Sequence, residues 1–350
     1  MITSQVREPR RDGRRLSPLV RRTLTGAIGL AGIVGVVLFL NPSRVGSALA
    51  HFRPALVPAI LALSVLVYVL QGIRWHFLLA DVGARLRLAD TILINLAGQT
   101  ISAVVPLGDL TRAAFASTAS GIDFGIVAAT VTVQELSYTL LLILSALPAI
   151  LALGYGLAAV VPVACGIAAI VVVLTVSPVF CRVHQVVAHI PFLNRLLPAI
   201  DELQQETAAL LHRADALALS ILDAARVVVS VTAFWLILEG LQPGRVGWWQ
   251  AAFVLALSSL GGAISLIPGG VGANEASVAA LLIFLGFDYG TAGAAAVIQR
   301  ALTTLLSLGL GVAAYAAVKR RLQLGGIFQL VAHRQASAPA PAAHAARSSV

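Results

Sequence analysis

Charged side chains are scarce in this chain of 350 residues. Asp, Glu, Lys and Arg together make up 11% of it, against about 25% in a typical soluble domain. Hydrophobic residues make up 59%, so a soluble fold would lack the polar side chains needed to cover its surface. These figures exclude a soluble enzyme or binding module and predict an integral membrane protein.

Cysteine and the common cofactor motifs are also missing. The two cysteines, Cys165 and Cys181, cannot supply a disulfide framework or a four-cysteine metal site. No P-loop pattern is present, and the seven histidines show no zinc-ligand spacing, so no cofactor and no metal is expected. The net charge of +9 lies mainly at the chain ends. That distribution indicates topogenic charge beside a membrane, not a nucleic-acid-binding face.

The chain divides into a basic N-terminal segment, a transmembrane domain and a tail rich in alanine, proline and serine. Residues 1–23 contain seven arginines and precede an apolar run at 24–40. A signal peptide would share this pattern, but the length of the run favours an uncleaved first span. The transmembrane domain is predicted at 24–320, with an amphipathic surface connector at 181–215 and a disordered cytoplasmic tail at 331–350.

Two apolar stretches are interrupted by proline and glycine. Residues 88–105 run into Pro106-Leu107-Gly108, and residues 248–267 run into Pro268-Gly269-Gly270-Val271-Gly272. The apolar segment after the second break, 276–287, is too short to cross about 30 Å of hydrocarbon as a helix. Broken helices are tolerated in a membrane where the freed backbone faces protein or water. Both regions are therefore predicted to be re-entrant hairpins of two part-length helices.

An internal repeat relates the two halves of the chain, about 24–153 and 157–318. The motif Gly121-x-Asp123-x-Gly125 recurs 165 residues later as Gly286-x-Asp288-x-Gly290. In both halves the order is a broken hairpin, this motif and then a long apolar helix. The shared order indicates two copies of one structural unit.

Charge sets the expected orientation of these copies. Basic residues at both ends place both termini in the cytoplasm, and Arg74, Arg85 and Arg87 are assigned to a cytoplasmic loop. If the hairpins do not cross, six spans remain, at 24–40, 54–72, 125–153, 157–180, 216–240 and 291–318. The expected fold is an all-α polytopic membrane protein, an inverted repeat of three plus three spans with one re-entrant hairpin entering from each side. Eight full spans would also satisfy the charge rule.

The two breaks resemble the motifs of a known family. Pro106-Leu107-Gly108-Asp109-Leu110-Thr111-Arg112, followed by Gly121-x-Asp123-x-Gly125, is similar to the first motif of the lysylphosphatidylglycerol synthase transmembrane-region family. Pro268-Gly269-Gly270-Val271-Gly272-Ala273-Asn274-Glu275, with the later Gln299-Arg300, resembles the second motif. Many relatives have Glu-Arg on the long helix after the first motif. This chain has Glu135-Leu136, so the acidic residue is retained and the arginine is not.

The resemblance covers about residues 54–318 and implies lipid handling at a bacterial or archaeal cytoplasmic membrane. In the aminoacyl-phospholipid members the corresponding domain is regarded as the flippase, and a soluble aminoacyltransferase domain accompanies it. This chain is expected to be a stand-alone flippase-like domain without that synthase. Its expected partners are a membrane lipid substrate and a separately encoded lipid-modifying enzyme, with no nucleic acid.

Ionisable groups inside a membrane are costly, so each one is a candidate functional residue. Arg112 or Arg300 offers a planar fork matched to phosphate oxygens. Glu275 follows a glycine-rich break at a predicted helix start, where a phosphate can also bind. Glu135 and Arg300 occupy equivalent positions in the repeat, so we expect both near the repeat interface, with Arg300 available to a headgroup or to Glu135. The predicted substrate-binding residues are Asp109, Arg112, Glu135, Gly269, Gly270, Gly272, Asn274, Glu275 and Arg300.

The same residues also have structural interpretations. Buried acid–base pairs often only neutralise each other, and the glycines after Pro268 can serve a tight turn. Trp75, Trp248 and Trp249 are expected to be anchors at the membrane interface.

Three functions are open at this point. The first is a flippase for a phosphate-containing lipid: a phospholipid, an aminoacyl-phospholipid or a polyprenyl-phosphate lipid. The second is an intramembrane lipid-modifying enzyme that uses Asp109 or Glu275 as a base. The third is a non-transport accessory subunit of a lipid-synthesis complex.

Overall fold

The computed structural model describes residues 42–102, 109–152, 219–264 and 272–322, together with residues 180, 182 and 270. This part of the chain is helical, without strands, and a 3-10 turn at Pro54–Leu56 precedes the second helix. The α-helices are α1 Pro42–Ala50, α2 Val57–Asp81, α3 Leu88–Ser102, α4 Asp109–Ser120, α5 Phe124–Ala152, α6 Ser220–Leu241, α7 Trp248–Ile264, α8 Ala273–Phe284 and α9 Tyr289–Leu322. The predicted all-α fold class is confirmed.

Four of the described helices are long and apolar enough to cross a membrane. They are Pro54–Asp81, Phe124–Ala152, Ser220–Leu241 and Tyr289–Val318. Each has at least 22 residues, and a span needs about 20. They coincide with four of the six predicted spans.

Several sequence predictions fall on residues that are not described. The other two spans, at 24–40 and 157–180, lie outside the described residues, apart from residue 180. The same holds for the basic segment 1–23, for the connector 181–215 apart from residue 182, and for the tail 331–350.

The two hairpins consist of shorter helices. In the first, α3 has 15 residues and α4 has 12; in the second, α7 has 17 and α8 has 12. A helix of this smaller size is about 18 Å long, well short of the hydrocarbon thickness. Within each hairpin the two helices pack on each other. Of these four helices, α8 has both ends among the described residues, and its length is consistent with the predicted re-entrant hairpin.

Two apolar cores lie at opposite ends of the long helices. One core joins the first hairpin to Val127 at the start of α5 and to Val318 near the end of α9. The other joins the second hairpin to Ile150 at the end of α5 and to Ala292 at the start of α9. Because the cores use opposite ends of the same two helices, the hairpins enter the bundle from opposite ends. This is the arrangement that an inverted repeat requires.

Each hairpin packs against the long helix of the other half of the chain. The first helix of each hairpin packs against the long helix of the other half, α3 against α9 and α7 against α5. The helices that precede the hairpins, α2 and α6, pack against each other. The two halves therefore contact each other through pairs of helices that include α3 with α9, α7 with α5, and α2 with α6.

The repeated Gly-x-Asp-x-Gly motif forms the joint between each hairpin and its long helix. Gly121 and Gly286 have φ angles of 75° and 87°, in the left-handed region that favours glycine after a helix end. The Oδ1 atoms of Asp123 and Asp288 each accept a hydrogen bond from the amide two residues later, at 2.7 and 2.9 Å. Those carboxylates cap the first turns of α5 and α9. The two Gly-x-Asp-x-Gly motifs are therefore similar because in each half the glycine ends one helix and the aspartate caps the next.

Two sequence assignments are wrong because α2 is longer than the predicted span. Helix α2 continues to Asp81, so Arg74 lies inside the helix and is 1% exposed, not in a cytoplasmic loop. Trp75 is fully buried, and its Nε1 donates a hydrogen bond to Thr130 Oγ1 at 2.9 Å, so it is not an interface anchor. Trp249, in contrast, is half exposed.

Candidate functional site

Five charged side chains meet where α2, α4, α5 and α6 pack together, and we call this group the charged cluster. Four of them are buried, and the Glu135 side chain is 31% exposed. With three arginines and two carboxylates, the cluster has a formal charge of +1. Its members are Arg74, Arg112, Glu135, Asp223 and Arg226.

Arg112 holds the first hairpin against the long helix α5. Its Nη2 donates to Glu135 Oε1 at 2.7 Å, and its Nη1 donates to Asn95 Oδ1 at 2.7 Å and to Gln134 Oε1 at 3.2 Å. The guanidinium carbon lies 5.3 Å from the centre of the Trp75 ring, within cation–π range. Both terminal nitrogens of Arg112 are thus satisfied by neighbours on α3 and α5.

A set of amide side chains surrounds this pair. Gln71 donates from Nε2 to Glu135 Oε1 at 2.8 Å, and its Oε1 accepts from Asn95 Nδ2 and from Gln99 Nε2, both at 3.2 Å. Gln134 Nε2 donates to the Gln71 carbonyl oxygen at 2.6 Å. Because buried polar groups need partners, this network fixes the orientation of Glu135 from the side of the first half.

Arg226 approaches Glu135 from α6, in the second half. Its two terminal nitrogens lie 3.4 Å from the Glu135 oxygens, farther than the 2.7 Å contact with Arg112. One face of the guanidinium lies over the Tyr138 ring, with the carbon 3.9 Å from the ring centre. Within the described residues its buried Nε has no hydrogen-bond partner. The arginine is therefore stacked tightly on a ring but paired loosely with a carboxylate.

Two ion pairs of the cluster connect the two halves of the chain. Arg74 Nε on α2 lies 3.2 Å from Asp223 Oδ2 on α6, and both side chains are buried. The pair of Arg226 with Glu135 connects α6 to α5. The pair of Arg112 with Glu135 lies within the first half. Glu135 is consequently shared between an arginine of its own half and one of the other half.

In the second hairpin, Glu275 occupies the third position of α8. Its Oε2 accepts a hydrogen bond from the Gly272 amide at 2.7 Å, and its Oε1 lies 3.1 Å from Arg300 Nε. Gly270 and Gly272 have φ angles of 61° and 85°, so each fits a turn that disfavours other residues. Glu275 thus caps its own helix and ties α8 to Arg300 on α9.

The second hairpin also packs closely. A Cβ added at Gly270 would lie 3.2 Å from Gly262 Cα, and one added at Gly262 would lie 3.3 Å from Asn274 Cβ. The predicted residues Gly270, Gly272, Asn274 and Glu275 therefore lie close together where α8 begins, beside Gly262 of α7. Gly269 and the side chain of Asp109 lie outside the described residues; the backbone of Asp109 begins α4.

The two repeat-equivalent residues do not form a pair with each other in the described structure. Glu135 pairs with Arg112 and Arg226, whereas Arg300 pairs with Glu275. The structure therefore sorts the predicted site into two groups, one around Glu135 and one around Glu275. The expectation that Arg300 would be available to Glu135 missed the nearer acid on the neighbouring hairpin.

Sequence reasoning also missed three members of the cluster. Asp223 and Arg226 stand three residues apart inside the predicted span 216–240, so the cost of intramembrane charge already marked them. Arg74 was missed because the second span was ended at residue 72. Applying the same rule to every charge within about two helical turns of a span end would have found all three.

Comparison with known proteins gives a family but no individual relative. Among curated proteins, none matches this chain. The family model described as "Lysylphosphatidylglycerol synthase TM region" matches residues 26–311, which is more than half of the chain. The match includes both hairpins, their Gly-x-Asp-x-Gly joints and the charged cluster. This chain, with its two broken hairpins and shared interface, belongs to the lysylphosphatidylglycerol synthase transmembrane-region family.

Proposed function

We propose that this protein moves a phosphate-containing lipid between the two leaflets of a membrane. The observation that supports this function is the charged cluster, in which three arginines face two carboxylates between the two halves of the bundle. Charge inside a membrane is expensive and is usually found where substrates or ions pass. An excess arginine suits a lipid phosphate because its planar fork matches two phosphate oxygens.

We place the headgroup at the cluster and not at the start of α8. The carboxylate of Glu275 already accepts the Gly272 amide there, so a phosphate at that helix end would meet a negative charge. In the cluster, the exposed edge is Glu135, next to Arg226. Arg112 and Glu135 then belong to the headgroup site itself.

The other predicted residues are proposed to line the lipid's path beside the two hairpins. They are Asp109 in the first hairpin, Gly269, Gly270, Gly272, Asn274 and Glu275 in the second, and Arg300 on α9. Inverted halves whose broken helices meet near the midplane are a common design of secondary transporters, in which one half rocks against the other. We propose the same motion here, in a bacterial or archaeal cytoplasmic membrane with both termini in the cytoplasm.

Transport can be measured in liposomes that contain the purified protein and a fluorescent phosphatidylglycerol. A membrane-impermeant quencher reports how fast labelled lipid reaches the outer leaflet. We expect wild-type protein to accelerate this movement and Arg226→Gln to abolish the acceleration. The matched control is Arg321→Gln, which removes an arginine that is 61% exposed and pairs loosely with Asp90 at 3.6 Å. Movement no faster than in protein-free liposomes would contradict the proposal.

The same preparation separates the transporter from the two other functions. Chemical change of the labelled lipid, detected by chromatography, would favour a lipid-modifying enzyme. Absence of movement together with copurification of a lipid-modifying enzyme would favour an accessory subunit. If the lipid moves and a modifying enzyme also copurifies, the pair forms the two-protein equivalent of a fused synthase and flippase.

A further inference from the structure

The two oxygens of the Glu135 carboxylate are held unequally. Oε1 accepts from Gln71 at 2.8 Å and from Arg112 at 2.7 Å, and it also lies 3.4 Å from Arg226 Nη1. Within the described structure, Oε2 contacts only the two terminal nitrogens of Arg226, both at 3.4 Å. The first half of the chain therefore holds Glu135 firmly, and the second half holds it weakly.

Arg226 has spare capacity to bind an anion. Its side chain is 9% exposed, so more than nine-tenths of it is buried. A guanidinium carries five N–H donors. The contacts of Arg226 with Glu135 are 3.4 Å long, whereas Arg112 donates to the same carboxylate at 2.7 Å, and the buried Nε atoms of both arginines have no partner among the described residues. Tyr138 covers one of its faces, which keeps the edge of the fork directed toward Glu135.

The nearest acid on the same helix, Asp223, does not accept from the N–H groups of Arg226 in the described structure. Asp223 stands three residues before Arg226 on α6, but its Oδ2 lies 3.2 Å from Arg74 Nε. The cluster as a whole has one positive charge more than negative. A phosphodiester at Arg226 would bring the cluster to neutrality, which lowers the cost of keeping it out of water.

We propose that the phosphate of the lipid headgroup displaces Glu135 from Arg226, so that lipid binding breaks the ion pair between α5 and α6. This inference rests on the proposed function and assigns a step to it. After the exchange Glu135 keeps its bonds to Arg112 and Gln71, so no buried carboxylate is left alone. The pair of Arg74 with Asp223 keeps α2 and α6 together while α5 is released.

If the phosphate competes with Glu135 for Arg226, removing the Glu135 carboxylate should increase the affinity for the lipid. In Glu135→Gln, Arg226 no longer has an anionic partner, so the protein should bind a phosphodiester lipid at least about tenfold more tightly. Close charge pairs couple by more than the 1.4 kcal/mol that a tenfold change represents. Arg226→Gln should bind at least about tenfold more weakly, and Arg226→Lys should also bind more weakly because an ammonium lacks the planar fork.

Binding can be measured by titrating purified protein in detergent with dihexanoyl phosphatidylglycerol. Dioctanoylglycerol, which has no phosphate, serves as the ligand control. Glu239→Gln is the matched protein control, because Glu239 lies at the end of α6 and accepts the Gly244 amide. Wild type and this control should bind the phosphodiester lipid equally, and the variants of the pair should shift in opposite directions.

Three results would overturn the exchange: unchanged or weaker binding in folded Glu135→Gln, unchanged binding in Arg226→Gln, or equal affinity for the two lipids. If Glu135→Gln does not fold, Arg226→Gln decides, because that variant retains the pair of Glu135 with Arg112. The failure of transport is a separate outcome. Opposite shifts in binding without lipid movement would support the exchange and refute the transporter, whereas movement with no shift would refute the exchange alone.

Discussion

Arg112 on α4 pairs with Glu135 on α5 across 2.7 Å, and Glu275 on α8 pairs with Arg300 on α9 across 3.1 Å with the charges exchanged. In each half, the second helix of the hairpin is tied to the long helix that follows it. Both halves therefore contain an ion pair at this joint. In the first half the arginine lies on the hairpin helix and the glutamate on the long helix, and in the second half this order is reversed. In each half, an ion pair thus joins the short second helix of the hairpin to a helix long enough to cross the membrane.

The crossing of α3 and α4 requires glycine at position 98. A Cβ there would lie 2.6 Å from Arg112 Cβ and 3.2 Å from its Cα, so Gly98→Ala should push the hairpin helices apart. We expect a lower thermal midpoint and a cost of about 1–3 kcal/mol, as in other overpacked sites. The control is Gly309→Ala on α9, where nothing lies within 4 Å of the added carbon. It should be neutral or stabilising by up to about 1 kcal/mol, and equal losses in both variants would contradict the packing argument.

The pair of Arg74 with Asp223 should contribute strongly to stability because both side chains are buried. Asp223→Asn removes the charge that faces Arg74, and losing one partner of a buried pair typically costs about 3–5 kcal/mol. Unfolding in detergent with increasing sodium dodecyl sulfate measures this cost. Asp90→Asn should cost clearly less, because its partner Arg321 is 61% exposed and lies 3.6 Å away.

A double-mutant cycle tests whether the first of those pairs acts as a pair. If Arg74→Gln and Asp223→Asn are combined, the loss should be clearly smaller than the sum of the single losses. Additive losses would show that the two residues stabilise the fold independently. Such a result would also remove the link between α2 and α6 that we assign to them.

Trp75 should behave as a core residue and not as an interface anchor. Trp75→Phe removes the hydrogen bond to Thr130 Oγ1 and part of the ring surface near Arg112. We expect a loss of about 1–3 kcal/mol from the bond and the packing. Trp249→Phe changes a side chain that is 51% exposed and should leave the unfolding midpoint almost unchanged. A larger loss of stability in Trp249→Phe than in Trp75→Phe would contradict this assignment and favour Trp75 as an interface anchor.

The Asp288 cap at the start of α9 should make the stability of the protein depend on pH in the acidic range. Partial burial raises the pKa of Asp288, but hydrogen bonds from the Thr291 side chain and from the Thr291 and Gly290 amides outweigh it and lower that pKa below its usual range. A carboxyl group whose pKa is lowered by folding stabilises the protein above its unfolded pKa, about 3.9. That contribution is lost as the pH falls through the lower, folded pKa.

Thermal midpoints of wild type and Asp288→Asn measured between about pH 3 and pH 7 check this sign. The advantage of the wild type should be largest near neutral pH and should shrink below about pH 4. The effect should be small, because Asp288 is exposed. A difference that stays constant across this range would show that the charge of Asp288 does not contribute.

Much of the fold was predictable because it depends on interactions between residues close in the chain. The glycines before α8 predicted where that short helix begins, and its 12 residues start directly after Gly272. The repeated motif marked a helix end and a cap, and both require only a few neighbouring residues. The predicted second span ended too early, at residue 72, and Arg74 was assigned to a loop, although the buried Asp223 on α6 neutralises its charge.

The amino-acid sequence by itself determined that this protein belongs in a membrane and that one Gly-x-Asp-x-Gly joint recurs in its two halves, since composition and local backbone preference decide those features. Only the tertiary structure decided which acid each arginine meets. Arg74 and Asp223 are 149 residues apart in sequence, and Arg226 and Glu135 are 91 apart. Helix periodicity states which face a charge occupies, but its partner depends on how α2, α5 and α6 pack. That packing places Arg226 beside the exposed edge of Glu135, where we expect the lipid phosphate to bind.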